Sequence, residues 1–281
     1  MAEILKGAPV AAQLDAETSL RAADLTEKGT VPTLAILRVG DRPDDVYYEN
    51  AASKRCAKLG INTVKFTFPA DACGSEVMEA VEEINSDDSI HGALIFRPMP
   101  KEIDEEAVRQ ALRPEKDVDG ITDISMAGVF TGTKNGFAPC TAQSCMEILK
   151  FYGIDPKGKK AAVLGRSLVI GRPVAMMLMQ ENATVTICHT KTANIAEEAK
   201  SADIVITAVG RAKIAGADHF RPGQVVLDVG MNALPDGKMC GDADFDEAEK
   251  IVDAITPVPG GVGSVTTSVL LRHVVEAAEK K

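Results

Sequence analysis

Short apolar runs rich in Val, Ile and Leu recur along the chain, at 33–39, 63–68, 93–96, 161–164, 184–188, 204–208, 225–229 and 251–254. Runs of this kind are typical of strands buried on both faces of a parallel sheet. Between them lie amphipathic segments of helical length, such as 76–85, 105–112 and 174–180. Strands separated by helix-length spacers imply βαβ units with right-handed crossovers. The pattern therefore predicts an α/β fold with parallel sheets.

The alternation breaks after Lys116-Asp117-Val118-Asp119-Gly120, where several glycines and few periodic apolar residues run on to Ala138-Pro139-Cys140. Thr141 can then cap a helix reaching about Tyr152, with Gly153 placed to end it, and strands resume at Ala161. A chain of 281 residues is long enough for two compact domains. The expected division is an N-terminal α/β domain at 1–140, joined by a returning C-terminal helix at 264–281, and a Rossmann-like dinucleotide-binding domain at 141–263. The stretch 1–17 reads as the first amphipathic helix, and 266–280 as the last.

A net charge of −10 argues against nucleic acid or a membrane surface as partner, since both need a basic face. No apolar stretch approaches the roughly 20 residues that span a bilayer. The first residues hold one early lysine and no long apolar core, so no secretory signal is read and a cytoplasmic location is expected. Six cysteines without a CxxC pair are expected as free thiols, and four histidines without ligand spacing predict no metal site.

The most informative local pattern follows the predicted strand at 160–164. Gly165-Arg166-Ser167-Leu168-Val169-Ile170-Gly171 comes next, and Arg172-Pro173 opens a helix, with proline where its missing N–H costs little. Strand, glycine turn and helix together seat a pyrophosphate, because the turn allows close approach and the helix N-terminus favours negative charge. The spacing is GxSxxxG rather than GxGxxG, so alone it also fits an ordinary βα turn. In NAD-preferring folds an acidic residue about 20 positions on holds the ribose hydroxyls. Here the next strand ends in His189-Thr190-Lys191-Thr192, with no carboxylate. Arg166, His189, Thr190 and Lys191 can instead receive a 2′-phosphate, so NADP is the expected cofactor and NAD the alternative. Ala208-Val209-Gly210 and Asp228-Val229-Gly230-Met231-Asn232 place further small residues past strand ends. They add Gly210, Gly230 and Met231 to the cofactor candidates Gly165, Arg166, Ser167, Gly171, His189 and Thr190.

Four segments together resemble the methylenetetrahydrofolate dehydrogenase/methenyltetrahydrofolate cyclohydrolase family. They are Pro114-Glu115-Lys116-Asp117-Val118-Asp119-Gly120, then Gly165-Arg166-Ser167 through Gly171-Arg172-Pro173, the stretch 183–192 (ATVTICHTKT), and Thr256-Pro257-Val258-Pro259-Gly260-Gly261-Val262-Gly263. The similarity runs from Leu5-Lys6-Gly7 to the final helix. The resemblance implies a two-domain homodimer with a tetrahydrofolate substrate in a cleft between the domains. It also implies oxidation of 5,10-methylenetetrahydrofolate by hydride transfer to NAD(P)+ and, in many members, hydrolysis of the methenyl product to 10-formyltetrahydrofolate. On the matching positions Asp119 is implied as the pterin-binding aspartate and Tyr48 as the tyrosine that stacks on the folate. These two are the catalytic candidates. Phe96, Pro259, Gly260 and Gly261 join them as substrate-binding candidates. On the residues alone, Asp119 equally suits a turn or cap, Tyr48 or Tyr47 simple packing, and the glycine pair a conformational device.

The chain departs from the resembling family at one constellation. Bifunctional members carry Tyr-x-x-x-Lys on one helix, which puts phenol and ammonium on the same face. Counting from Tyr48, the lysine position is Ala52. Lys54 lies about 200° around the helix from Ala52, and Arg55 shares the face of Tyr48 a turn further along. Tyr47 and Lys54 repeat the seven-residue spacing of Tyr48 and Arg55, so a shifted geometry stays open. The family's Val-Gln-Leu-Pro reads Ile95-Phe96-Arg97-Pro98 here, which places Phe96 at the glutamine. Hydride transfer needs mainly positioning, whereas hydrolysis needs water activation and proton movement. The expectation is a dehydrogenase whose cyclohydrolase activity is lost or weak.

Three rivals stand beside it. One is a fully bifunctional enzyme that has rebuilt its acid/base from Lys54 or Arg55. Another is a non-catalytic dinucleotide- or folate-binding protein. The third is a hydroxyacid or shikimate-type dehydrogenase, which needs a lysine–aspartate or histidine acid/base that the sequence does not offer.

Overall fold

The computed structural model describes residues 1–133 and 135–281. Its first elements are β1 (Glu3–Ile4), α1 (Gly7–Glu27), β2 (Thr33–Val39), α2 (Pro43–Lys58), β3 (Asn62–Phe68), α3 (Gly74–Ser86) and β4 (Gly92–Ile95). Three helices follow, α4 (Glu105–Ala111), α5 (Asp123–Thr131) and α6 (Cys140–Phe151). Next come β5 (Lys160–Leu164), α7 (Gly171–Gln180), β6 (Thr184–Cys188), α8 (Ile195–Ser201), β7 (Ile204–Thr207) and β8 (Val225–Asp228). The chain ends with β9 (Asn232–Ala233), β10 (Met239–Cys240), α9 (Phe245–Ala248), β11 (Ala254–Ile255) and α10 (Thr266–Ala278).

Two compact units emerge. One comprises Met1–Ala12 and Pro139–Thr266, the other Gln13–Ala138 and Thr267–Lys281. The second is built on a parallel sheet in the order β3-β2-β4. Every residue of the central strand β2 is buried. Leu34, Ile36 and Leu37 are at most 1% exposed, and burial of each side chain contributes about 1.5–3 kcal/mol.

The other unit carries a six-stranded parallel sheet in the order β1-β11-β8-β7-β5-β6. Strand β5 lies between β6 and β7, so the winding reverses there. Ligands of open α/β sheets bind beyond the carboxyl ends of the strands at such a switch point.

Four expectations change. Residues 1–12 were expected with the N-terminal domain and inside a first helix. Instead Glu3 and Ile4 pair with Ala254 and Ile255 in the six-stranded sheet, and the helix starts at Gly7. The strand expected at 251–254 shrinks to β11, because Ile251 and Val252 donate back to Ala248 O and close a turn after α9. Phe96 falls just past β4, although its N–H still reaches Leu37 O. The stretch where the alternation breaks holds α5, started by the Thr122 hydroxyl accepting from Ser125 N and ended by Gly132 at φ 71. No long apolar period marks so short a helix, and its caps define it.

The described cysteines are thiols, outside any disulfide, and among the described residues no group of three or more His, Cys, Asp or Glu is placed to hold a metal. No helix there is long and apolar enough to cross a membrane.

Candidate functional site

The carboxyl ends of β5, β6 and β7 open onto a cavity of about 620 Å³. Gly165, Arg166 and Ser167 line it from β5, His189 and Thr190 from β6, and Val209 and Arg211 from β7. Ile195, Ile214 and Ala215 supply an apolar wall. An apolar slot beside cationic side chains and a glycine turn fits a dinucleotide, whose adenine is flat and apolar and whose phosphates are anionic.

Local packing dictates the turn. Gly165 stands at φ 125, and a Cβ there would lie 2.1 Å from Ala208 O, so β7 leaves no room for a side chain. Its N–H donates to Cys188 O, tying the turn to β6. The Ser167 hydroxyl accepts from Ile170 N at 3.2 Å, and Ser167 O accepts from Arg172 N at 3.0 Å. The loop thereby folds back over the start of α7. A Cβ on Gly171 would sit 2.3 Å from Gly165 O, so that glycine serves the fold-back and does not line the cavity.

At the end of β6, His189 Nδ1 accepts from Lys191 N at 3.1 Å, and His189 N donates to the Thr192 hydroxyl. The turn faces His189 and Thr190 onto the cavity, while exposed Lys191 is not among its lining residues.

Three further cofactor candidates have other work. Gly210, at φ 68, is not part of the lining, and its N–H donates to Asp242. A Cβ on Gly230 would meet the Asp242 carboxyl carbon at 2.3 Å, so this glycine makes room for a carboxylate. Met231 is 64% exposed and reaches Gly263, not the cavity.

Sequence reasoning missed the two buried aspartates behind these loops. Asp242 accepts from Val209 N, Gly210 N, Arg211 N and Asn232 Nδ2, at 2.6 to 2.9 Å. Asp228 accepts from the Thr207 hydroxyl and from the N–H groups of Gly230, Asp242 and Ala243. Burial pushes the Asp228 carboxyl up to about 6, against the downward pull of these hydrogen bonds. Arg211 was missed too. A cation directly after a glycine turn was the only local sign of it.

The glycine pair at 260–261 meets the chain start. Gly260, at φ 101, accepts from Gly7 N at 2.8 Å, and a Cβ on Gly7 would lie 2.2 Å from Gly261 O. Gly261 itself has Pro257 O 2.5 Å from its would-be Cβ, and Pro259 beside it is exposed. The conformational account of this turn thus rests on its contacts with Gly7.

In the other unit Tyr48 is 38% exposed on α2, and its ring meets Phe96 edge-on at 5.7 Å. Ala52, one turn on, is 1% exposed. Arg55 donates to Asp15 and Ser268, and Lys54 is exposed. Asp119 is half-buried. Asp117, in the same motif, is fully buried and accepts from Ile121 N, Thr122 N and the Ser125 hydroxyl, so it organises the entry to α5. Lys116 is buried as well, its ammonium on Ile84 O and Asp87 O. Within Lys116-Asp117-Val118-Asp119, two of the three charges are therefore structural.

Comparison with known proteins agrees with this arrangement. Residues 5–119 match the catalytic domain of tetrahydrofolate dehydrogenase/cyclohydrolase, and residues 139–281 match its NAD(P)-binding domain. The bifunctional protein FolD of Carboxydothermus hydrogenoformans is 52% identical over 281 residues, covering 99% of this chain and 98% of that one. That of Alkaliphilus oremlandii is 46% identical over 277 residues, covering 99% and 97%. Among solved structures, the bifunctional FolD enzyme of Campylobacter jejuni superposes with a TM-score of 0.97 at 36% identity, over 100% of this chain and 99% of that one. The Trypanosoma brucei methylenetetrahydrofolate dehydrogenase-cyclohydrolase, solved with NADP cofactor and an inhibitor, gives 0.92 at 32%, covering 99% and 98%. With both domains matched and identity at this level over nearly the whole length, the chain belongs to the tetrahydrofolate dehydrogenase/cyclohydrolase family.

Proposed function

We propose that this chain is a 5,10-methylenetetrahydrofolate dehydrogenase that uses NADP+ and has lost all or most cyclohydrolase activity. When bound, NADP+ supplies the hydride acceptor. Departure of hydride from the methylene carbon is driven by the lone pair of the adjacent folate nitrogen. The protein's task is positioning, which brings reacting atoms to within about 3–3.5 Å. Tyr48 and Phe96 offer aromatic surface to the folate, and the Asp119 carboxylate accepts hydrogen bonds from the pterin. Gly165 admits the pyrophosphate close to the backbone. Arg166, His189 and Thr190 would hold a 2′-phosphate, and Arg211 adds a second guanidinium to the same cavity. That these groups meet no carboxylate at the end of β6 supports NADP over NAD.

One observation carries the loss of hydrolysis. The position that should hold a lysine is a buried alanine, Ala52, and Arg55 is engaged by Asp15 and Ser268. A guanidinium also stays protonated, which makes it a poor proton shuttle. The second reading is a fully bifunctional enzyme, favoured by the name that relatives 52% and 45% identical to the chain carry. Initial rates with NAD+ and NADP+, then methenyltetrahydrofolate hydrolysis on the same sample, separate the two. Hydrolysis well above the spontaneous rate would leave the bifunctional reading standing. The homodimer rests on the family resemblance, and sedimentation velocity reads it directly.

A further inference from the structure

We propose that Asp242 is a positioning residue for dinucleotide binding, holding residues 209–211 in the shape that makes them one wall of the cavity beyond β5 and β7. The inference rests on the reading of that cavity as the dinucleotide site.

Asp242 is 0% exposed, and a buried carboxylate is costly unless donors surround it. Oδ2 accepts from Val209 N at 2.6 Å and Gly210 N at 2.9 Å. Oδ1 accepts from Arg211 N at 2.9 Å and Asn232 Nδ2 at 2.9 Å. Three consecutive amides converging on one anion form a nest, and only a particular backbone path provides it. Gly210 at φ 68 is the step that closes this path. With the amides committed to the carboxylate, Val209 and Arg211 line the cavity.

The carboxylate is itself held from behind. The N–H groups of Asp242 and Ala243 donate to Asp228 at the end of β8. Two glycines keep the space open. A Cβ on Gly230 would stand 2.3 Å from the Asp242 carboxyl, and one on Gly241 1.9 Å from the Asp228 carboxyl. The turn after β7 is thereby referenced to β8 through two carboxylates. A wall ordered beforehand spares the cofactor the entropy of ordering it on binding.

The test uses the full-length protein, with Asp242→Asn and Asp242→Ala as variants. An asparagine keeps the size but turns an NH2 toward amides that need an acceptor. NADP+ affinity by calorimetry, amide exchange over 209–211, and KM and kcat for NADP+ and methylenetetrahydrofolate are the readouts. Expected are faster exchange over 209–211 and a Kd for NADP+ raised about tenfold or more, the loss of one or two charge-assisted hydrogen bonds. The defect should fall on KM for the dinucleotide rather than on kcat or the folate KM. Faster exchange with an unchanged NADP+ Kd would make Asp242 structural only and overturn the proposal. Should neither variant fold, Asn232→Ala removes one donor to the same carboxylate, and an unaltered Kd there overturns it equally. Arg166→Ala tests the underlying reading in the same assay. If wild-type protein fails to bind NADP+, or Arg166→Ala binds it as wild type does, the cavity reading fails and the inference with it. If Arg166→Ala weakens binding and Asp242→Asn does not, only the inference fails.

Discussion

Arg55 grips Asp15 with two nitrogens, Nε at 3.2 Å and Nη2 at 2.9 Å from the same carboxylate oxygen, and Nη2 also donates to the Ser268 hydroxyl. The grip joins α2 to α1 and α10 in the unit that carries Tyr48. Freeing Arg55 would leave Asp15 poorly compensated, since its other oxygen is already buried without a partner. Arg55→Ala should therefore cost about 1–3 kcal/mol of stability in urea unfolding and leave methenyl hydrolysis at its wild-type level. A drop in hydrolysis in that variant would give Arg55 the acid/base role denied to it here.

Restoring the family constellation is the converse experiment. Ala52→Lys with Phe96→Gln returns the ammonium one helical turn from Tyr48 together with its polar neighbour. Hydrolysis should then rise about 100-fold or more above wild type, the lower range for a positioned acid/base. Ala52 is buried, so the double variant is best read beside its own melting curve.

Gly165→Ala tests the phosphate turn. It forces a side chain onto φ 125 and against Ala208 O. Strained backbone of this kind costs about 1–3 kcal/mol. A lowered Tm together with lost NADP+ binding is the expected result, and normal NADP+ affinity would move the phosphate site elsewhere.

The choice of cofactor has its own variants. Arg166→Ala and Arg211→Ala should each lower kcat/KM with NADP+ about tenfold or more, as loss of a charge-assisted phosphate contact does. Rates with NAD+ should change little. Equal losses with both cofactors would show these cations serving the pyrophosphate instead.

Two aspartates of one motif should separate cleanly. Asp117→Asn leaves an amide facing two N–H donors and the Ser125 hydroxyl, and should cost about 2–3 kcal/mol. Asp119→Asn should instead show its larger effect on dehydrogenase activity and its smaller one on stability. Reversed phenotypes would reverse the assignment of structure and function between them.

His91 sets an acid limit. Its Nδ1 accepts from Thr33 N at 3.2 Å, so that nitrogen must be unprotonated. Burial, with Lys281 and Lys116 nearby, lowers its pKa below the ordinary 6.5. Just below pH 6.5 the unfolded chain therefore binds more protons than the folded one. Stability rises with pH through that window and is lost as pH falls beneath it, by up to about 1.4 kcal/mol per unit. Unfolding series between pH 5 and 7.5 should show the slope. His91→Asn, which keeps an acceptor but cannot titrate, should flatten it.

The sequence by itself determined the alternation of strands and helices and the turn at Gly165, because each is written in local spacing. A buried parallel strand shows as an apolar run, and a glycine turn between strand and helix is contiguous. Contacts between distant segments carry no such local sign, and the tertiary structure alone decided them. The pairing of Glu3-Ile4 with Ala254-Ile255 moved the chain start into the other unit. The convergence of Val209, Gly210 and Arg211 on Asp242, more than thirty positions away, gave this turn a partner that its own sequence does not name. The same holds for Arg55, whose face on α2 was legible while its partners Asp15 and Ser268 were not. Hydrogen bonds that close long loops depend on where the sheets bring backbone together, and residue type at one end does not reveal the other.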